Sequence, residues 1–309
     1  MATCIVDGHY ILHRCMHVPQ LRMLSTKDGK PTGGTFGVLK SIRSTVGEMR
    51  EINRVIVVFD GGHSERRKKL YPKYKVRESK DDVDPDGLTY SKKFSMQINY
   101  LTYLLPRMGV KVVRLRKREG DDVVSLLARE IVDPLKIVSS DDKDMFQLVS
   151  KDVHVWRPLA SQRLSLSNFE EEIGYPPHWY LLRRSVLGDS SDKISGVPGV
   201  GEKTVDTVLD DCDDIGQYPF DGFFETAMSF SGKRYQAIFE NIDVVLRNYE
   251  LMDMTREEFT EEEKSKALQI ATGRTSLELT KVKDMFVSLE FYSMIDDFYQ
   301  WITRFQLLR

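Results

Sequence analysis

A chain of 309 residues has room for about two ordinary domains, or for one large α/β domain with an appendage. With 41% hydrophobic and 30% charged residues it can bury a core, and no run approaches the ~20 apolar residues of a membrane span. The net charge is −2, and the three cysteines (Cys4, Cys15, Cys212) lie far apart with no CxxC pair, which argues against a disulfide framework or a thiolate zinc site and fits a reducing compartment.

The N-terminal residues Thr3-Cys4-Ile5-Val6 read as a buried strand, without the basic start and long apolar run of a signal peptide. Residues 3–6, 54–59, 111–115, 135–138 and 152–156 are short β-branched runs that predict strands. Segments near 35–51, 88–105, 120–132 and 142–149 predict helices. This alternation implies βα units and an α/β fold with a mostly parallel central sheet. Residues 61–95 are too long and polar for an ordinary connection, and such segments are usually functional or disordered. After about residue 178 helical periodicity dominates, with a Gly-rich turn at 196–201. The expected organisation is an α/β core over 1–177 and a helical region over 178–309.

Two blocks of charge lie within the near-neutral total. Residues 63–80 hold eight Lys/Arg against two Glu, and residues 107–118 hold six Lys/Arg and no acid. Concentrated basic blocks suit a phosphate-binding face, although a solvated surface reads the same way in isolation.

Acids cluster where strands end. Asp7 follows one predicted strand, Asp60 another, and Asp141-Asp142 a third, while Glu119-Gly120-Asp121-Asp122 opens a helix. Ligands of parallel sheets gather outside the carboxyl ends of the strands. Asp142-Lys143-Asp144 starts another helix, and Asp189 and Asp192 are three residues apart. Each group alone is explained by helix capping. Together, Asp7, Asp60, Glu119, Asp121, Asp122, Asp142, Asp144, Asp189 and Asp192 would repel severely unless protonated or bound to cations. Oxygen donors without His or Cys point to Mg²⁺ or Mn²⁺, and a pair of such ions is the usual clamp for phosphodiester hydrolysis. No GxSxG, HExxH or Walker loop competes with this reading. The six His are scattered and read as surface or packing residues. The turn Gly196-Val-Pro-Gly-Val-Gly-Glu-Lys-Thr204 feeds a helix. Gly199 and Gly201 permit positive φ, and Lys203 adds charge to a helix N-terminus suited to phosphate.

At this point the chain resembles the 5′ nucleases of the flap endonuclease superfamily, bacterial and phage branch. That branch includes the N-terminal nuclease domain of DNA polymerase I. The similarity runs through VDGHYILHR (6–14), VVFDGG (57–62), EGDDVVSLLA (119–128), SSDDKDMFQLVS (139–150) and LGDSSDKISGVPGVGEKT (187–204), with LRNYELMDM (246–254) and LEFYSMIDDF (289–298) beyond. The resemblance implies two metal ions, one nearer Asp7, Asp60, Glu119, Asp121 and Asp122, the other nearer Asp142, Asp144, Asp189 and Asp192. Asp141 stands where the family often has a small residue. The resemblance also implies a helical arch within 61–95. There Arg67 and Lys75 would act on the scissile phosphate, Tyr74 would stack on a base, and Arg77 would bind DNA. It further implies a helix–three-turn–helix near 187–211 that grips DNA through Gly199, Gly201 and Lys203 and offers a K⁺ position. The implied enzyme is a structure-specific 5′-3′ exonuclease and flap endonuclease acting on 5′ flaps, nicks and RNA primers in replication. It would be a cytoplasmic monomer, in the host cytoplasm if viral, with replication proteins as partners and no membrane. A non-cleaving DNA-binding paralogue and a PIN-like ribonuclease are the alternatives. The first should have lost metal acids, and the second should lack the arch and the GVPGVGEK element.

Overall fold

A computed structural model of the chain describes residues 2–76, 83–84, 86–212 and 219–308. The described residues fall into two compact units. One draws on Met1–His63, Ser79–Ser165 and Phe259–Arg309, the other on Ser64–Glu78 and Leu166–Glu258.

The first unit is built on a six-stranded sheet of order β3-β2-β1-β4-β5-β6. The strands are β1 (Ala2–Asp7), β2 (Ile52–Val58), β3 (Lys111–Val113), β4 (Leu135–Ser139), β5 (Val153–Arg157) and β6 (Gln162–Leu164). The first five pair in parallel, as their alternation with helices predicts, and β6 folds back antiparallel on β5. Between β1 and β2 run α1 (Gly8–His17), α2 (Pro19–Arg22) and α3 (Gly33–Glu48). Helix α4 (Glu65–Leu70) belongs to the second unit. Helix α5 (Tyr90–Arg107) leads to β3, α6 (Gly120–Glu130) leads to β4, and residues Lys143–Leu148 form a 3-10 turn where a full helix was expected.

Strand β1 lies between β2 and β4, and all six of its residues are buried. The chain passes directly from Asp7 into α1, whose Ile11, Leu12, Cys15 and Met16 form the buried stripe. Gly8 makes that passage possible, because a Cβ there would stand 2.5 Å from Val57 Cγ1 and 2.9 Å from the Val58 carbonyl.

The second unit holds α4, α7 (Phe169–Ile173), α8 (Tyr180–Leu187), the short pair β7 (Gly188–Asp189) and β8 (Ile194–Ser195), α9 (Glu202–Asp210), α10 (Pro219–Ser229), α11 (Lys233–Glu240) and α12 (Ile242–Met252). Leu182, Val186, Val205, Val208, Phe223 and Val245 form its core. Asn248 on α12 is fully buried and donates from Nδ2 to the carbonyls of Ser185 (2.8 Å) and Ser195 (2.9 Å). One amide thus ties α8 and β8 to α12.

A single cut near residue 178 does not describe these units. The chain returns to the first unit through α13 (Glu261–Thr272), α14 (Leu279–Ser288), α15 (Tyr292–Ile295) and α16 (Phe298–Ile302). The reason is packing. Phe286 and Trp301 meet edge to face at 5.2 Å and share one buried cluster with Leu39 of α3 and Leu101 of α5. Phe286→Ala is therefore expected to destabilise the first unit by about 3–5 kcal/mol, measured by denaturant unfolding.

Candidate active site

In the first unit three acids meet at the carboxyl edge of the sheet. Asp7 is 3% exposed. Its Oδ1 accepts from the Tyr10 N–H at 2.9 Å, capping α1, and its Oδ2 accepts from Ser140 Oγ at 3.1 Å. Ser140 Oγ in turn accepts from the Asp142 N–H at 3.1 Å, so one hydroxyl joins two acids. Asp142 Oδ1 accepts from the Asp144 N–H at 2.9 Å and caps the 3-10 turn. Burial is the largest influence on Asp7 and, with the charges of Asp142 and Asp60, pushes its pKa up to about 7 against the Tyr10 and Ser140 hydrogen bonds.

Asp60 follows β2. Its Oδ1 accepts from the Gly120 N–H at 2.7 Å, and a Cβ on Gly120 would stand 2.4 Å from that oxygen. This contact explains the glycine of Glu119-Gly120-Asp121-Asp122. Glu119 occupies the N-cap position of α6 without a side-chain cap bond, and Asp121 and Asp122 lie in the first turn. Glu119 and Asp122 are buried.

Asp189 and Asp192 belong to the second unit. Asp189 pairs with Arg184, and its Oδ1 accepts from the N–H groups of Ser191 (2.8 Å) and Asp192 (3.3 Å). Burial raises its pKa, but the hydrogen bonds from Ser191 and Asp192 and the Arg184 charge outweigh burial and leave it below the usual value. Asp192 Oδ2 lies 3.6 Å from Lys75 Nζ, and the Lys75 N–H donates to the Asp192 carbonyl at 3.0 Å. Lys75 is thereby joined to Asp192, one of the acids that the resemblance implies as metal ligands.

Arg67 and Tyr74 do not present themselves to a strand. Both are 3% exposed. Arg67 Nε donates to the Leu251 carbonyl at 2.7 Å, and Tyr74 packs with Ile194, Leu251 and Met252, with Arg67 5.9 Å and Lys75 5.2 Å from its ring centre. The ring that was expected to stack on a base is a core residue here, because the turn after α4 folds it inward. Arg77 lies outside the described residues.

Of the two glycines in the Gly-rich turn that permit positive φ, one adopts it. Gly199 has φ +75°, whereas Gly201 is extended at φ −115° and stands at the N-cap of α9. No side chain caps that helix, and Lys203 is exposed in its first turn, so the leading N–H groups are free of side-chain caps.

Two features escaped the sequence reading. Asp141 accepts from Arg14 Nη1 (3.0 Å) and from the Leu159 N–H (3.1 Å), so it anchors the loop before Asp142. His9, His13 and His17 are not scattered but line α1. His9 Nε2 is 3.4 Å from Asp60 Oδ2, and His13 Nδ1 is 2.6 Å from the Tyr90 hydroxyl. Their four-residue spacing was the available signal.

Among the described residues no three His, Cys, Asp or Glu side chains are arranged as a ready coordination shell. Among the carboxylates, Asp7 and Asp142 act as helix caps, and Asp189 and Asp192 pair with Arg184 and Lys75. Their chemistry still fits hard cations: the donors are oxygens, and Asp7 is buried beside two further acids.

The description "5'-3' exonuclease, N-terminal resolvase-like domain" fits residues 2–174 of this chain by its family model. The chain belongs to the 5′-3′ exonuclease family. It is similar to a 5′-3′ exonuclease of Buchnera aphidicola, 29% identical over 202 residues that span 65% of this chain and 67% of the relative. It is also similar to DNA polymerase I of Pseudomonas aeruginosa, 27% identical over 202 residues, which cover 65% of this chain but only 21% of that polymerase. Among solved structures, the T5 D15 protein co-crystallised with metal ions superposes with a TM-score of 0.64 at 18% identity, covering 93% of this chain and 99% of that one. The catalytic core of Rad2 with DNA gives 0.55 at 13% identity, covering 96% and 91%. These likenesses establish the fold across both units of this family member.

The raised pKa of Asp7 has a consequence for the metal-free protein. Between its ordinary value of 3.8 and about 7 the folded state keeps a proton that the unfolded state has lost. Stability therefore falls as pH rises through that window and levels off above it. The expected result, from melting curves in EDTA, is that Asp7→Asn removes this part of the slope and gains stability relative to the parent toward pH 7.

Proposed function

We propose that this nuclease hydrolyses phosphodiester bonds near the 5′ ends of flapped, nicked or RNA-primed DNA, as exonuclease and flap endonuclease, with two divalent ions. The observation that carries the reading is Asp7, buried at the end of the middle strand beside Asp60 and Asp142. Such a group lowers its energy by holding a proton or a cation, and a nuclease needs the cation. Asp7, Asp60, Glu119, Asp121, Asp122, Asp142, Asp144, Asp189 and Asp192 are the oxygen donors proposed to hold Mg²⁺, or Mn²⁺ in its place. Bound there, the ions would supply Lewis acidity and a water of lowered pKa. The T5 neighbours support this reading: one is described with metal ions, another as a flap endonuclease product complex with DNA and metal ions.

The chain's own cations would position the strand. Lys75, beside Asp192, is suited to charge developing on phosphate. The uncapped N-terminus of α9 with Lys203 is suited to backbone phosphate of the duplex, which fixes register without reading sequence. The carbonyls of the 196–201 turn are the proposed K⁺ position. A monomer working with replication proteins in the cytoplasm completes the proposal.

The test is cleavage mapping on end-labelled 5′-flap, nicked and RNA-primed duplexes with Mg²⁺ or Mn²⁺. Short 5′ products are expected, and no cleavage across the panel overturns the reading. Asp144→Asn is expected to lower turnover on the order of 100-fold while duplex binding in EDTA stays within a few-fold. Lys203→Ala is expected to weaken binding to all sequences alike and to reduce the salt slope of log K by about one, read by titration at several salt concentrations.

A further inference from the structure

The second unit contains an open cavity of about 640 Å³ beside the loop of Asp189 and Asp192, and Tyr71, Lys73 and Lys193 on its walls have no part in the proposed catalysis. That volume lies in the ~300–1,000 Å³ range of small-ligand sites. Its walls have two characters. Tyr71, Leu187 and Ile194 give it an apolar side, and Lys73, Lys193 and Ser190 give it a cationic, hydroxylic one. No carboxylate lines it among the described residues.

The two lysines differ from the cations around them. Arg66, Lys75, Arg183 and Arg184 are each engaged by a carboxylate: Glu257, Asp192, Asp206 and Asp189 respectively. Lys73 and Lys193 have no ion pair among the described residues, and both are exposed. Two uncompensated ammonium groups on one cavity attract an anion. Lys193 is also held at φ +62°, a region that favours Gly and Asn, with its N–H on the Ser190 carbonyl at 3.3 Å. The chain thus places a lysine where backbone geometry does not favour one. Opposite in character, Tyr71 carries Arg247 at 4.7 Å from its ring centre, which steadies the aromatic wall.

An apolar and aromatic wall facing two cations matches a ligand with a flat ring at one end and a phosphate at the other. We propose that this cavity binds a nucleoside 5′-monophosphate, with the phosphate on Lys73 and Lys193 and the base against Tyr71, Leu187 and Ile194. The ligand is either the free mononucleotide or the 5′-phosphorylated end of an unpaired strand. The site's link to cleavage rests on the nuclease reading, but its occupancy does not.

The test is calorimetric titration of the full chain with dAMP, deoxyadenosine and inorganic phosphate, all in EDTA, so that no ion can recruit phosphate to the acids. We expect dAMP to bind more tightly than either fragment. The Lys73→Ala/Lys193→Ala double variant should lose about tenfold or more of the dAMP affinity at an unchanged melting temperature. A short single strand is then compared with and without its 5′-phosphate. Tighter binding of the phosphorylated strand identifies the strand end as the ligand; no gain, with dAMP binding intact, identifies the free mononucleotide, and either supports the site. Absence of dAMP binding into the millimolar range, or an affinity unchanged in the double variant, overturns it. Because nothing in this measurement requires cleavage, its failure is distinguishable from failure of the nuclease reading.

Discussion

One hydroxyl group holds the first unit's acids in register. Ser140 donates to Asp7 at the end of the middle strand and accepts the N–H of Asp142, so the positions of the two acids are set against each other. Asp142 then caps the turn that carries Asp144, and Asp7 caps α1. Burial at the end of the middle strand makes the charge on Asp7 costly, and nearby Asp60 and Asp142 add to that cost. The fold accepts this local conflict between stability and charge, which is the usual mark of a site built for a cation.

The parallel sheet was legible because β-branched runs and helical stretches alternate, and β1, β2, β4 and β5 are long enough to show their pattern. Helix α1 was not, since His9, His13 and Arg14 break up its apolar stripe. Strand β6 is three residues long and carries no periodicity. The return of α13–α16 to the first unit depends on tertiary packing of Phe286 and Trp301, which local periodicity cannot reveal.

The acids were legible as a set but their individual partners were not. Capping and ligation use the same residue types at the same positions, and only the structure separates Asp142, which caps, from Glu119, which does not. Asp141 has no role assigned from sequence. Its bonds to Arg14 and Leu159 make it an anchor. For Arg67 and Tyr74, a basic and aromatic pattern is shared by strand-binding surfaces and by the inner side of a short packed helix and the turn that follows it. Burial decided between them, and composition could not.

The order in which the first unit's pieces occur along the chain has a consequence for biosynthesis. Its sheet is complete by residue 164, yet the helices that cover the cluster around Leu39 and Leu101 come only after residue 278, with the whole second unit in between. A chain emerging from the ribosome therefore carries α3 and α5 with an apolar face uncovered until α14–α16 are made. Contacts this distant in sequence are slow to form, and an uncovered apolar face is prone to association. A chain that has not yet reached Phe286 and Trp301 therefore has the cluster around Leu39 and Leu101 only partly packed.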